Sequence, residues 1–290
     1  MWILFTFAAA ISRTLTNIFG KFGLKSSNEY ISAIFLHIFK AILILPLVLI
    51  LGIPVLTTNF WISNLAFLFL TPLSSILFMK ALKDSPLSVS QPMMAFNPIF
   101  TALLNHFFKR EPIDTSGWLG IILISLGLYL INFKISMLKK SIFEPLKYLL
   151  KDKGAQAMLG VAFIWSLSAH FGKMRIEGSN LVFSIFISGL IGVLSTASIF
   201  ILKKRNSSKI ERIKIKNVKG LSLIGFANFL DSVSSNLALQ YGPVPYASAI
   251  KRSGIVLSVL AGKYIFKEDL NWLKLFSILI IFVGIVLIIL

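Results

Sequence analysis

The segment from residue 249 to residue 258 reads Ala249-Ile250-Lys251-Arg252-Ser253-Gly254-Ile255-Val256-Leu257-Ser258. Two adjacent cations interrupt a largely apolar run, Val244–Phe266, that is long enough to cross a bilayer, which needs about 20 residues. Lys251 lies seven residues after Val244, or roughly 10 Å along a helix that rises about 1.5 Å per residue. A charge at that depth is unfavourable unless it faces protein or water. The pair therefore either serves a function, pairs with a carboxylate, or extends to the headgroup layer.

The composition is that of a membrane protein. Of 290 residues, 56% are hydrophobic and 14% are charged, whereas an ordinary soluble domain carries about 25% charged residues. The net charge of +18 would suggest nucleic acid in a soluble protein, but most cations here lie between apolar segments, where the positive-inside rule places them. No nucleic-acid partner is expected. The chain has no cysteine, which excludes disulfides and thiolate chemistry.

The hydropathy pattern predicts an all-α membrane protein with ten transmembrane helices. The apolar N-terminal segment lacks a basic n-region, so it is interpreted as the first span rather than as a signal peptide. The predicted spans are Trp2–Leu24, Tyr30–Leu51, Phe60–Leu82, Pro86–Phe108, Ser116–Phe133, Ala155–Ile176, Asn180–Leu202, Gly220–Tyr241, Val244–Phe266 and Asn271–Leu290.

Two longer connections carry most of the loop cations. Residues 134–154 combine apolar positions at helical spacing with several lysines, which predicts an amphipathic segment on an anionic membrane surface. Residues 203–219 form a polar, basic loop. The positive-inside rule places both connections in the cytoplasm and both termini outside the cell membrane.

The chain also repeats itself. Four features recur in order: Phe19-Gly20-Lys21 as Phe171-Gly172-Lys173, Ala81-Leu82 before Pro86 as Ala238-Leu239 before Pro243, Phe108-Lys109-Arg110-Glu111 as Phe266-Lys267-Glu268, and Gly127 as Gly284. Residues 1–133 and 155–290 then form two repeats of five spans, joined by the connector 134–154. Because five is an odd number, the two halves are expected to have opposite orientations in the membrane, as an inverted repeat.

The eighth predicted span carries a polar stripe on one helix face. Its members, at positions i, i+3, i+4 and i+7, are Asn228, Asp231, Ser232 and Ser235. Asp231 lies near the middle of the span, so we expect it to face the protein interior and to meet a cation, with Lys251, Arg252 and Arg13 as candidates. Asp231 and its cation would form either a structural ion pair or part of a coupling or substrate site, with Asn228 and Ser235 beside them.

Further polar residues lie within other predicted spans. Prolines in the fourth span remove backbone hydrogen bonds, and such breaks are acceptable only where protein or water satisfies the freed groups. Together with the cationic pair, the predicted substrate-binding residues are Lys251, Arg252, Arg13, Asn17, Gln91, Asn97 and His170.

The sequence offers no assembled enzyme chemistry. It has no phosphate-cradling glycine loop, no nucleophile elbow and no carboxylate pair for hydrolysis. The histidines His37, His106 and His170 are scattered without metal-ligand spacing. We therefore expect no catalytic residue, no metal and no cofactor.

Nearly the whole chain resembles the drug/metabolite transporter superfamily of EamA type. The resemblance rests on two halves of five spans, each with a fourth span that begins near a proline after Ala-Leu and ends at Phe108-Lys109-Arg110-Glu111 or Phe266-Lys267-Glu268. Lys251-Arg252 is similar to the Lys-Arg pair with which triose-phosphate-type translocators hold a phosphate. The uncharged loop 52–59 departs from the family, in which this loop is usually basic and cytoplasmic.

These observations predict a secondary transporter that moves a small organic solute by alternating access. The cationic residues favour an anionic or zwitterionic metabolite over the lipophilic cations or drugs that some superfamily members export. Expected partners are the solute, the lipid bilayer, and a proton or counter-substrate for coupling; a homodimer is also compatible with the sequence. The alternative class is a non-transporting membrane scaffold or lipid-handling protein, which would have no need for charges at membrane depth.

Overall fold

The computed structural model describes residues 1–24, 29–85, 90–108, 112–131, 151–205, 218–257 and 272–290. These residues form α-helices, joined by turns and a short 3₁₀ segment. The helices are α1 (Trp2–Leu24), α2 (Glu29–Leu51), α3 (Thr58–Asp84), α4 (Phe96–Phe107), α5 (Thr115–Leu130), α6 (Lys153–Glu177), α7 (Leu181–Arg205), α8 (Val218–Tyr241), α9 (Val244–Arg252) and α10 (Trp272–Ile289).

The surface of the helix bundle is apolar, as expected in lipid. Leu4, Leu49 and Phe69 are 73%, 75% and 70% exposed, whereas many serine, threonine and asparagine side chains are buried. Among the described residues, five stretches are long and apolar enough to cross a membrane: Trp2–Gly20, Glu29–Leu51, Thr58–Asp84, Leu181–Leu202 and Trp272–Ile289. The prediction of an all-helical membrane protein is confirmed; the number of spans and the inverted arrangement stay predictions.

Two aspartates begin helices and tie them to neighbours. Asp152 precedes α6, and its Oδ1 accepts hydrogen bonds from the Ala155 amide at 2.7 Å and from the Ser85 hydroxyl at 2.5 Å. Asp114 precedes α5 and accepts from the Gly117 amide at 3.1 Å and the Tyr246 hydroxyl at 2.5 Å. Each carboxylate satisfies an amide of the first helical turn and also links that turn to another helix.

The Asp114 contacts predict a pH-dependent stability. Hydrogen bonds from Ser116, and then from Tyr246, lower the pKa of the Asp114 carboxyl from its ordinary value. A lowered pKa in the folded state means that the carboxylate stabilises the fold at neutral pH and that this contribution is lost as pH falls through the folded-state pKa. Asp114→Asn keeps a capping side chain but removes the charge. We expect the apparent unfolding temperatures of the parent and the variant to differ most at neutral pH and to converge as pH falls through the lowered pKa of the Asp114 carboxyl. A constant difference would contradict this.

The fourth and ninth predicted spans are not continuous α-helices. Within the described part of the fourth span, a 3₁₀ segment, Gln91–Ala95, with Pro92 near its start, precedes α4. This agrees with the expectation that proline breaks the helix there. In the ninth span, α9 ends at Arg252 and a turn follows at Ser253, whose amide bonds to the Ile250 carbonyl at 3.0 Å.

The chain is helical again at residues 254–257, and it packs closely on α1 there. Gly254 packs directly on the Ala10 backbone of α1, a contact that a residue with a Cβ would prevent. Glycine also has low helix propensity. The carbonyl of Gly254 accepts a hydrogen bond from the Thr14 hydroxyl at 3.0 Å. The sequence predicted one unbroken span, Val244–Phe266; the structure shows a break next to the two cations, and residues 258–271 lie outside the described part.

Helices of the first half of the chain pack mainly on helices of the second half. Helix α1 packs on α8, and α6 packs on α3 in the same way; α4 contacts α6, and α9 contacts α1. Helices α2 and α7 pack on each other, as do α5 and α10. Among the described residues, α10 packs chiefly on α5.

Candidate functional site

A polar cavity of about 200 Å³ lies inside the helix bundle. Side chains of α1, α2, α3, α4, α6, α7, α8 and α9 line it, so both halves of the chain contribute. Among the described lining residues, five are cationic and one is anionic: Arg13, Lys40, Arg175, Lys251 and Arg252 against Asp231.

Asp231 forms the centre of a first charged cluster. Its carboxylate pairs with the guanidinium of Arg13 and, at 2.7 Å, with the ammonium of Lys251. The Ser235 hydroxyl accepts from Lys251 at 2.6 Å and donates to Asp231 at 3.1 Å. Asp231 is only 2% exposed. Ser235 is one helical turn after Asp231, so α8 supplies both acceptors while α1 and α9 supply the cations.

Arg252 does not pair with Asp231. Its Nε donates to the Asn97 side-chain oxygen at 2.8 Å, and Asn97 in turn donates from Nδ2 to the Ala162 carbonyl at 2.8 Å. The guanidinium carbons of Arg252 and Arg13 lie 5.1 and 4.6 Å from the ring of Trp165, which is a cation–π geometry. Within the described part of the chain, the two terminal nitrogens of Arg252 make no hydrogen bond, so they remain available to the cavity.

Lys40 and Arg175 also line the cavity, and sequence reasoning missed both. Arg175 is 2% exposed and stacks on Phe67 at 4.1 Å, while Lys40 is 7% exposed. Lys40 lies near the middle of the predicted second span, which by itself marks a functional candidate. Arg175 lies one residue before the predicted end of the sixth span, where an arginine facing inward cannot be told by sequence from one that reaches the headgroups.

The structure brings together most of the predicted site residues. Arg13, Asn97, Asn228, Asp231, Ser235, Lys251 and Arg252 all line the cavity. Asn228 also donates to the Leu36 carbonyl at 2.6 Å, which links α8 to α2. Asn17 lines a smaller adjoining cavity that shares Arg13, Lys251 and Arg252 with the first.

Two predicted site residues are placed differently. His170 is fully buried in helix packing, where its Nε2 is 3.0 Å from the Thr101 carbonyl and its ring stacks on Phe108. It is not among the residues that line either cavity. The side chain of Gln91 lies outside the described part of the structure. The roles of all these residues in binding stay predictions.

A helical bundle with a lipid-facing apolar surface and a buried, charged, solute-sized cavity is the architecture of a membrane transport protein. The particular family follows from sequence comparison. The chain belongs to the EamA-like transporter family, whose model matches residues 1–133 and 152–290. Members of this family are transporters rather than enzymes, and they are integral membrane proteins.

Curated relatives match a shorter part of the chain. The probable 4-amino-4-deoxy-L-arabinose-phosphoundecaprenol flippase subunit ArnE of Pseudomonas fluorescens (strain Pf0-1) is 32% identical over 74 residues, which is 25% of this chain and 65% of that protein. The protein described in the same words from Hamiltonella defensa subsp. Acyrthosiphon pisum (strain 5AT) is 35% identical over 57 residues, 20% of this chain and 51% of that protein. The chain thus spans about half to two thirds of the length of these relatives.

The fold is also similar to that of a solved structure. A chain described only as the crystal structure of a protein superposes with a TM-score of 0.74 and covers 99% of this chain and 96% of its own length. The two sequences are 13% identical, so the likeness shows the fold alone.

Proposed function

We propose that this protein is a secondary transporter that moves a small anionic or zwitterionic metabolite across the cell membrane. The excess of cations in the cavity carries the proposal: five basic side chains face one carboxylate, and that carboxylate already pairs with two of them. Uncompensated charge away from water is unfavourable, and a bound anion would reduce it. Arg252 in addition offers unpaired N–H groups in the planar arrangement that suits carboxylate and phosphate.

The size of the cavity supports a small solute. At about 200 Å³ it is smaller than drug-sized ligand pockets, which have volumes of roughly 300–1,000 Å³. The positive charge of the lining also disfavours lipophilic cations. A non-transporting scaffold remains the alternative class, but it gives no reason for burying six charged groups around one cavity.

Alternating access of two inverted five-helix repeats is part of the proposal. The exchange of helix neighbours between the halves supports a two-fold relation, as do the two separate stretches that the family model matches. The offset of 157 residues that relates Gly127 to Gly284 also relates Phe96, where the 3₁₀ segment gives way to α4, to Ser253, where α9 breaks. Interrupted helices at corresponding positions are typical of substrate sites in such transporters.

We propose that the protein is oriented in the membrane with both basic connections, residues 134–154 and 203–219, in the cytoplasm. Residues 132–150 and 206–217, which hold most of these cations, lie outside the described part of the structure. The family signatures Lys109-Arg110-Glu111 and Phe266-Lys267-Glu268 lie outside it as well. A proton or a counter-substrate is proposed to supply the driving force. The proposal holds whether the protein acts as a monomer or as the homodimer that the sequence allows.

The relatives suggest a second candidate. Their names describe flippases of a lipid-linked aminosugar phosphate, which is also anionic. The matched stretches cover a quarter of this chain or less, and the buried cavity suits a small solute better than a long polyprenyl chain. We therefore rank a water-soluble anion first and include the lipid-linked class in the test.

Uptake into proteoliposomes tests the proposal directly. Phosphorylated sugars, amino acids, quaternary ammonium compounds and a polyprenyl-phosphate sugar are offered in parallel to the parent protein and to Arg252→Lys. Hydrogen bonds to charged groups are worth about 1.5–3 kcal/mol, so losing the planar fork is expected to raise KM for the anion about tenfold or more. Lys80→Arg, a change of an exposed cation on α3, is the control and should match the parent.

Two results would contradict the proposed transport of a water-soluble anion. Robust transport of quaternary ammonium compounds, with Arg252→Lys equal to the parent, would refute an anion site. Movement of the polyprenyl-phosphate sugar alone would favour the flippase candidate.

A further inference from the structure

The cavity contains a second cationic cluster that is separate from the Asp231 ion pairs. It consists of Lys40 on α2 and Arg175 on α6, and both side chains are more than nine-tenths buried. Neither pairs with a carboxylate in the described part of the structure. The Asp231 carboxylate pairs instead with Arg13 and Lys251.

Within the described residues, the Arg175 guanidinium contacts one aromatic ring and forms no hydrogen bond or ion pair. It stacks on Phe67 at 4.1 Å, while its Nε and Nη1 are buried and make no hydrogen bond within the described residues. Buried N–H groups in folded proteins nearly always have acceptors. An arginine that is held over a ring with unused N–H donors can donate hydrogen bonds to the oxygen atoms of an anionic ligand.

The two cationic clusters lie at different levels along α6. Trp165 supports Arg13 and Arg252 at one level, and Arg175 follows ten residues later, which is about 15 Å along a helix axis. The Phe67 ring on which the Arg175 headgroup stacks also lies 4.0 Å from a Cβ placed at Gly172, which is nearer to Trp165 along α6. Lys40 lines the same cavity as both levels.

We propose that Lys40 and Arg175 form a second anion subsite, so that the cavity takes an elongated solute with an anionic group at each end. One anionic group binds near Arg252 and Lys251, and the other binds at Lys40 and Arg175. This inference rests on the proposed transport of anions and narrows it to dianions. The charge balance supports it, because the described lining has four more positive than negative groups and a monoanion would leave three of them uncompensated.

Matched solutes test the second subsite in the purified protein. Binding is measured by calorimetry for the unbranched dicarboxylates from succinate to suberate. Each is compared with the ω-hydroxy acid of the same carbon number, which carries a hydroxyl group in place of the second carboxylate. We expect at least one dicarboxylate to bind tenfold more tightly than its hydroxy acid, with an optimum at one chain length set by the spacing of the two clusters.

Substitutions test whether Lys40 and Arg175 bind the second carboxylate. In Lys40→Met and in Arg175→Gln the ratio of dianion to monoanion affinity is expected to fall close to one. In Arg252→Lys both affinities should fall together, because both solutes use that group. Lys80→Met serves as the surface control, and unfolding temperatures show that each variant is folded. The chain-length optimum is measured in the parent protein, so it tests the second subsite even if a variant fails to fold.

Different failures point to different errors. If monoanions bind and dicarboxylates bind no better, the second subsite is wrong and anion transport stands. If the dianion preference survives in both Lys40→Met and Arg175→Gln, the second group is held elsewhere and the assignment falls. If neither kind of anion binds, the proposed function and this inference fall together.

Discussion

Asp231→Asn is expected to lower the free energy of unfolding by about 3–5 kcal/mol, which is the usual effect of removing one partner from a buried ion pair. The carboxylate is 2% exposed and lies between Arg13 and Lys251. Asparagine fills nearly the same space but leaves both cations without a counter-charge. Transport should fall as well, because the two cations would repel each other and lose the position that the carboxylate gives them.

Two further variants separate charge from shape at this position. Asp84→Asn changes an exposed carboxylate near the end of α3 and should behave as the parent. Asp231→Asn combined with Lys251→Met removes one charge of each sign and should recover much of the lost stability. The measurement is unfolding in mild detergent, together with the pH profile of transport. An unfolding midpoint and a pH profile equal to those of the parent would show that the Asp231 charge has no role.

Gly284→Ala is expected to destabilise the protein by about 1–3 kcal/mol through overpacking. A Cβ at Gly284 would lie 2.7 Å from the Gly120 carbonyl oxygen and 3.0 Å from the Ile124 amide nitrogen. Both atoms belong to the α5 backbone, so no side chain can rotate to make room and the helices must separate. Small residues allow such close approach between membrane helices.

Gly160→Ala is the matched control for this prediction. Gly160 also lies within a helix, but the nearest atom to its added Cβ would be a Leu77 methyl group at 3.8 Å, which is ordinary contact. Alanine is favoured over glycine in a helix by about 0.5–1 kcal/mol, so this variant should equal or exceed the stability of the parent. Unfolding midpoints of the three proteins in one detergent decide the matter. Equal midpoints for both variants would mean that α5 and α10 do not pack as closely as the structure shows.

The sequence alone determined the class of the protein and the approximate bounds of most of the described helices. Composition and apolar run length report the free energy of transferring a segment into lipid, and this property belongs to each segment by itself. The polar stripe on the eighth span likewise identified Asp231, because helical spacing places its neighbours on one face. The proline-containing fourth span was predicted to break, and it does so at Gln91–Ala95.

Only the tertiary structure decided which charges share the cavity. Lys40 and Arg175 are far apart in sequence, and whether both line one cavity depends on how α2 and α6 are rotated against α3 and α7, which no helical period encodes. His170 shows the converse: it lies between the cavity residues Ala169 and Gly172 on α6, yet its side chain packs against Thr101 and Phe108. Contacts such as Gly189 of α7 on the Ala41 backbone of α2, and Gly178 at the end of α6 on the Phe60 amide of α3, help to fix these rotations, because two backbones can approach closely in only a few relative orientations.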